Sequence, residues 1–540
     1  MKNKKMPKVA YFSMEFGLDN SFKSYAGGLG ILAGDYLKGA KEYNFPVIGI
    51  GIKWKQGYTD QRIDSENKPY DCYKNYEYDF LEDTGVTVSV TIRKREVFCK
   101  VWKLNKFDNN DIYLLDTDIP QNQEMDPWIT GQLYGWFPEE RVAQEIVLGV
   151  GGVKAMRALG MNIDIFHFNE GHAVFAGLEL LREKMEDQKM EFEKAIEETR
   201  KEVVFTTHTP IVQGNESHDL DRLFYMGANL HLNKSQMKRI GGSPFNMTVA
   251  ALRLAKRSNG VAKLHNETSN KMWSKVKDRS EIVGVTNAIH RPTWVDMKML
   301  ELTNKKDMLW ERHMENKRSL IEFINERKGI KLDENVMIVG FSRRAAPYKR
   351  SDFIFTNPAK VEPLFKKNKF VIVFSGKAHP FDDNGKKIVQ RLVEMEKKYP
   401  NNVVFLENYD MEIGKMLTRG ADIWLNNPRR PKEASGTSGM KAAMNGVLNV
   451  SILDGWWPEA CNHGVNGWQF GDGYENKNED KLDKNDLKSM YKVFIQDVLP
   501  TYYNNKDKWI DMMANSIEST KDQFNVKRML EEYYDLLYKF

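Results

Sequence analysis

Four cations fall within eight residues: Arg343, Arg344, Lys349 and Arg350. They follow the apolar run Val336–Phe341, so Arg343 and Arg344 stand where a buried strand ends. Arginine holds a phosphate through two parallel hydrogen bonds and lysine holds it as a point charge, so this spacing suits an anion. Taken alone, the cluster is equally an ordinary solvated basic face. Two glycine-rich turns point the same way. Tyr25-Ala-Gly-Gly-Leu-Gly-Ile31 runs into a predicted helix, and Glu433-Ala-Ser-Gly-Thr-Ser-Gly-Met-Lys441 runs into Ala442–Asn445. Backbone N–H groups at such a turn, aided by the helix dipole, bind anions. Each turn by itself is also a plain tight turn, and neither ends in the Gly-Lys-Ser/Thr of a P-loop.

The elements that must position these residues are short β-branched or aromatic runs alternating with amphipathic segments. One series is Val9–Met14, Val47–Ile52, Ile112–Leu115, Ile163–Phe168, Val203–Thr207 and Ile282–Thr286. A second is Val336–Phe341, Phe370–Ser375, Val403–Leu406, Asp422–Leu425 and Val447–Leu453. Strands alternating with helices predict an α/β fold with parallel sheets, here two doubly wound Rossmann-like domains. The expected boundaries are 1–300 and 301–515, with 516–540 as a helix returning to the first domain. Lys305–Gly329 reads as one surface helix at the domain junction, and Asp472–Asp486 as a solvated loop.

Polar residues recur at the ends of these runs. In the first series they are Glu15, then Asn169, Glu170 and His172, then His208, then Asn287 and His290. In the second they are Arg343 and Arg344, Lys377 and His379, Glu407 and Tyr409, Asn426 and Asn427, and Asp454. Any one of them is an ordinary turn or capping residue. Ligands of open α/β sheets bind at the carboxyl ends of strands, so the whole set predicts a cleft between the two domains.

Composition narrows the class. A formal charge of +5 over 540 residues excludes a strongly basic nucleic-acid binder. Cys72, Cys99 and Cys461 form neither a metal spacing nor a disulfide framework. The start of the chain lacks the apolar core of a signal peptide, and no run is long enough to span a bilayer. The expectation is a cytoplasmic protein with no metal, nucleic-acid or membrane partner.

Several motifs in order then resemble the α-glucan (glycogen, starch and maltodextrin) phosphorylases. EASGTSGMK at 433–441 and NGVLNVSILDG at 445–455 resemble that family's cofactor segment. FSRRAAPYKR at 341–350 is similar to its phosphate segment, with FSGKAHP at 374–380 and FLENYD at 405–410 between them. YFSMEF, GGLGILAGDYL, FNEGH, TTHTP and TNAIHRPTW extend the likeness through the first domain. It resembles a shorter branch, without the N-terminal extension that carries regulation in animal enzymes, so allosteric control is not expected. Ala26, Pro347 and Ser438-Gly439 depart from the longer members.

The resemblance implies a GT-B type glycosyltransferase that uses inorganic phosphate to release glucose 1-phosphate from an α-1,4-glucan, with retention. It implies pyridoxal 5′-phosphate covalently held by Lys441, whose imine is an anchor while the cofactor phosphate relays a proton. Thr437, Ser438 and Arg343 would hold that phosphate, with Tyr409 and Trp294 packed around the cofactor. Substrate phosphate would meet Arg344, Lys349 and the Gly28 backbone N–H, and Gly27 and Gly28 would belong to the cofactor-binding set. His208 and Asn287 would read one glucosyl hydroxyl, Glu433, Ser435 and Gly436 the others, and Asn169, Glu170 and His172 would line the cleft. Trp456, Trp457 and Trp468 are expected mostly in the core. Two other readings stay open: a nucleotide-sugar glucosyltransferase of the glycogen-synthase type, and a catalytically dead glucan-binding protein. Oligomeric state and the preferred glucan are left open.

Overall fold

The computed structural model describes residues 6–211 and 214–539; the basic start of the chain, two residues of the loop after His208 and the final residue lie outside the described residues. The chain divides into two compact units. The first is Met1–Tyr58, Tyr73–Thr286 and Met529–Phe540; the second is Thr59–Cys72 and Asn287–Arg528.

The first unit is built on a nine-stranded sheet. From one edge its order is Glu281–Gly284, Arg257–Gly260, Val203–Thr206, Ile165–Asn169, Val9–Phe12, Val47–Ile52, Ile112–Asp116, Arg95–Leu104 and Glu82–Ile92. All pairings are parallel except the two that join the last two strands. The parallel strands Val9–Phe12, Val47–Ile52, Ile165–Asn169 and Val203–Thr206 are buried along their whole length. Helices on both faces of a parallel sheet demand such unbroken apolar runs, which is why these strands were legible. Arg257–Gly260 was not, because its sequence is RSNG and carries no apolar signal. The chain's end closes this unit. Tyr538 OH lies 2.6 Å from His167 Nδ1 and 2.6 Å from Tyr36 OH.

The second unit holds six parallel strands in the order Val403–Leu406, Phe370–Ser375, Met337–Ser342, Ile423–Asn426, Leu448–Ile452 and Gly467–Phe470. In chain order this is 3-2-1-4-5-6, the doubly wound arrangement. A buried polar cluster ties its two central strands. Lys317 Nζ donates to Asp422 Oδ2 at 2.7 Å and to Val336 O at 2.8 Å. The Ile338 N–H donates to the same carboxylate oxygen at 2.7 Å, and His313 Nε2 meets Asp422 Oδ1 at 2.8 Å.

Several boundaries differ from the sequence reading. The first unit gives way to the second at 286 rather than 300, because Met299 joins the second unit's apolar cluster and the Trp294 and Val295 carbonyls accept from Arg419. The return to the first unit comes at 529 rather than 516, because Ile517 is buried in that same cluster and Phe524 bonds to Ile289. The hairpin Asp60–Ile63 and Pro69–Cys72 belongs to the second unit through polar contacts: Gln61 Nε2 to Ala378 O, Ile63 N to Glu407 Oε2, and Lys377 Nζ to Thr59 O. Helix Lys306–Lys328 is not a junction; Leu309, His313, Lys317, Leu320 and Ile324 along it are buried in the second unit. Nor is Asp472–Asp486 wholly a loop, since helix Glu479–Val493 starts within it and Asp486 is buried against Arg350. Among the described residues no helix is long and apolar enough to cross a membrane.

Candidate active site

In the first unit the strand order reverses between Val9–Phe12 and Ile165–Asn169, and the predicted residues gather beyond their carboxyl ends. Asn169 Nδ2 donates to Ser13 Oγ at 3.1 Å, which leaves its Oδ1 as an acceptor 2.6 Å from His208 Nε2. The proton of His208 therefore sits on Nε2, and Nδ1 is a bare acceptor. Burial pushes this imidazole down to about 3, so it is neutral at pH 7. Glu170 adopts a positive φ of 74° and turns its carboxylate onto the next loop. Its Oε2 accepts from the His208 N–H at 2.7 Å and its Oε1 from Thr209 Oγ1 at 2.8 Å. Burial raises it to about 7 despite these two bonds. His172 is likewise driven to about 3 by burial, and its Nδ1 is a buried atom without a hydrogen-bond partner.

The glycine-rich turn is held by a residue that the sequence marked but gave no role. Glu15 Oε2 accepts from the N–H groups of Ala26 at 2.7 Å and Gly27 at 3.1 Å. Gly27 is extended and helix Gly28–Glu42 starts immediately after it. With Ala26 and Gly27 engaged, the next donors are the first-turn N–H groups from Gly28 onward, which have no partner within the helix. Gly30 must be glycine, since a Cβ there would lie 2.7 Å from Glu15 Oε2. The other Glu15 oxygen accepts from Tyr134 OH, and the Arg141 guanidinium lies 4.6 Å over the Tyr134 ring while pairing with Glu216.

In the second unit the order reverses between Met337–Ser342 and Ile423–Asn426. Arg343 spans that point: its guanidinium donates to Asn426 Oδ1 and, at 2.5 Å, to Glu433 Oε2. Lys349, on the turn Pro347–Lys349, donates to the same Glu433 oxygen. Burial alone would raise the Glu433 carboxyl, but Arg343 and Lys349 outweigh it and hold the group below the ordinary carboxylate range. Asp454 accepts the Glu433 N–H at 2.9 Å, and burial followed by the Glu433 charge raises it to about 7. Arg344 is exposed at the strand end. Arg350 leaves the predicted cation cluster, because it is buried on the Asn427 and Pro428 carbonyls and on Asp483.

Lys441 lies on helix Ser438–Met444 and is 4 % exposed. Its Nζ stands 3.2 Å from the centre of the Trp294 ring. The helix start is pressed against the sheet: a Cβ on Gly439 would fall 2.6 Å from Asn449 Oδ1. Thr437 and Ser438 form the turn into this helix, Gly436 has a φ of 80°, and Ser435 Oγ is buried without a partner. Tyr409 packs on the apolar cluster that contains Ala442. Asn287 belongs to the second unit, where its buried Oδ1 has no partner, whereas His208 belongs to the first. Trp456, Trp457 and Trp468 are all buried and offer no face to a sugar.

Two doubly wound units, each with polar groups collected at its strand reversal, define the chain as a GT-B type glycosyltransferase. The family model for carbohydrate phosphorylase matches residues 297–536. A maltodextrin phosphorylase of Thermococcus litoralis is 36% identical over 98% of this chain and 70% of that protein. A glycogen phosphorylase of Aquifex aeolicus is 36% identical over 98% of this chain and 86% of its own length. An uncharacterised protein of Methanocaldococcus jannaschii is 38% identical over 99% of this chain and all of its own. The chain belongs to the carbohydrate phosphorylase family.

Proposed function

We propose that this protein is an α-1,4-glucan phosphorylase that transfers a terminal glucosyl unit to inorganic phosphate, giving glucose 1-phosphate with retention. The observation that carries the reading is the pairing of a buried primary amine, Lys441, with two cations, Arg343 and Lys349, that converge on one carboxylate at the sheet's switch point. This donor set suits a phosphorylated aldehyde such as pyridoxal 5′-phosphate. Lys441 offers the amine and Trp294 an aromatic wall. Thr437 and Ser438 offer hydroxyls and helix-start N–H groups, and Arg343 a guanidinium. Tyr409 would pack at the cofactor's edge.

When bound, the cofactor's phosphate would supply the proton that the departing glucan takes. The residues of the chain would do the rest. Arg343, Arg344 and Lys349 would neutralise the phosphates, since two adjacent dianions repel unless cations or a shared proton intervene. Arriving phosphate would compete with Glu433 for Arg343 and Lys349. The freed Glu433 carboxylate, with Ser435 and Gly436, would then accept from sugar hydroxyls. Asn287, with its unpaired Oδ1, is a further hydroxyl acceptor. The first unit carries its own set of polar groups. Gly28, at the helix start, offers its N–H to an anion, while the expected Gly27 N–H is already held by Glu15. His208 presents Nδ1 as an acceptor in a fixed tautomer. Asn169 and Glu170 hold His208 in place, and the unpaired Nδ1 of His172 would take a hydroxyl.

The test is purified protein with maltodextrin and inorganic phosphate, with and without added pyridoxal phosphate. Glucose 1-phosphate should form, and Lys441→Ala should lose both the product and the cofactor absorbance. No glucose 1-phosphate under either condition refutes the reading.

A further inference from the structure

The helical turn Tyr533–Tyr538 reaches into the first unit and enters a chain of buried hydrogen bonds beneath the candidate site. Tyr538 OH meets two partners at 2.6 Å, Tyr36 OH and His167 Nδ1. From there the bonds cross the strands. His167 Nε2 lies 2.6 Å from Thr206 Oγ1, and Thr206 Oγ1 lies 2.6 Å from Asn259 Oδ1. Asn259 Nδ2 then donates at 3.3 Å to Tyr533 OH, back on the same turn. All six side chains are buried.

The donors along this chain can be assigned from its far end. Asn259 Nδ2 also donates to Gly260 O at 3.2 Å, which turns its Oδ1 toward Thr206. An amide oxygen only accepts, so the Thr206 hydroxyl donates to it and must itself accept from His167 Nε2. Burial pushes the His167 imidazole down to about 3, so at pH 7 it carries one proton, on Nε2, and Nδ1 is an acceptor. Tyr538 OH therefore donates to Nδ1, and Tyr36 OH donates to Tyr538. Without the Tyr538 hydroxyl, Tyr36 loses its acceptor and His167 its donor, both inside the fold.

Both partners of Tyr538 lead to the site. Tyr36 lies on helix Gly28–Glu42, whose first turn carries the Gly28 N–H. His167 and Thr206 belong to adjacent parallel strands and stand two residues before Asn169 and His208. The pleat returns to the same face after two residues, so the His167–Thr206 bond and the Asn169–His208 bond, each 2.6 Å, are successive rungs between the same two segments. The lower rung sets the spacing that the upper one inherits. We propose that Tyr538 is a positioning residue: its hydroxyl couples the helix that begins at Gly28 to the strands that lead into Asn169 and His208. Its effect on turnover rests on the function proposed above; its effect on His208 does not.

Kinetics of the pyridoxal-phosphate-loaded protein with maltodextrin and inorganic phosphate separate the two links. Tyr36→Phe cuts the helix link alone and should raise KM for phosphate about fivefold, the size of one net hydrogen bond, with kcat nearly unchanged. Tyr538→Phe cuts both links and should raise that KM similarly while also lowering kcat about fivefold. Tyr534→Phe is the control: it removes a hydroxyl from the same turn, bonded at 3.2 Å to Pro7 O, and should leave both constants at wild-type values. Equal losses in Tyr534→Phe and Tyr538→Phe would make the turn a general stabiliser and overturn the proposal. A second measurement needs no turnover. In protein with isotope-labelled histidine, Tyr538→Phe should move the ring-nitrogen NMR signals of His208 as well as those of His167. A moved His208 signal in a protein that makes no glucose 1-phosphate leaves the positioning standing and overturns the enzymatic reading. An unmoved His208 signal overturns the positioning even where phosphorolysis is observed. Should Tyr538→Phe not fold, Tyr36→Phe decides, and a wild-type KM for phosphate in that variant overturns the coupling.

Discussion

Replacing Lys317 by Met removes the only lysine in the Asp422 cluster while keeping the bulk of the side-chain stem. Lys317 and Asp422 are both 0% exposed, so the carboxylate left behind cannot turn to water. It must stay charged without its counter-ion or take a proton. From the ordinary aspartate value of 3.8, protonation at pH 7 costs about 4.4 kcal/mol, at 1.36 kcal/mol per pH unit. That sits inside the range of about 3–5 kcal/mol for breaking a buried ion pair from one side. At pH 5 the same protonation costs about 1.6 kcal/mol, so the penalty should shrink by nearly 3 kcal/mol. The signs agree from both sides. In the wild type, burial would raise Asp422, but Lys317 and His313 outweigh it and hold it below 3.8. The pair's contribution is therefore present above the ordinary value and lost as pH falls through the lowered one. In Lys317→Met the folded value is raised instead, so the variant recovers relative to the wild type as pH falls from 7 to 5. Native-state amide exchange at Ile338 and Leu448, whose N–H groups bond to Asp422, reads the cost locally. Adding Asp422→Asn to Lys317→Met should abolish the pH dependence. A cost under about 1 kcal/mol at pH 7, or one that does not change by pH 5, would refute the account of this cluster as an obligate ion pair.

Two further predictions concern the candidate site. Asp454, held near 7 by burial and the Glu433 charge, contributes stability at low pH that is lost as pH rises through about 7. Asp454→Asn should therefore gain on the wild type between pH 4 and 8, by up to about 4 kcal/mol, visible as converging or crossing melting temperatures. Glu15→Gln keeps the shape but puts a neutral amide where a carboxylate accepts from the Ala26 and Gly27 N–H groups and from Tyr134 OH. Losing charge-assisted bonds of this kind costs about 1.5–3 kcal/mol, so KM for phosphate should rise roughly tenfold or more while kcat changes far less. An unchanged KM would remove Glu15 from the positioning of the loop.

Much of this protein is legible in its amino-acid sequence. Parallel strands covered on both faces must be apolar throughout, so runs such as Val47–Ile52 and Phe370–Ser375 announced themselves within a residue or two. The residues just beyond them, from Asn169 and His208 to Arg343 and Asn426, followed from the rule that open sheets bind ligands at their carboxyl ends. The glycine turns were local signals too, because a left-handed φ at Gly436 or a close approach at Gly439 is written in a single residue.

Tertiary structure alone decided which of those residues share a partner. No spacing rule brings Arg343 and Lys349 onto one oxygen of Glu433, some ninety residues along, or removes Arg350 from the cluster to Asp483 and Asp486. The hairpin Asp60–Ile63 and Pro69–Cys72 joined the second unit through side-chain amides and carboxylates that have no periodicity to read. Burial of Lys317 on a helix that reads as charged and solvated likewise depends on a strand a hundred residues away. Apolar patterning records which side of an element meets the core, while polar pairing depends on the distance between elements, and only the folded chain sets that distance.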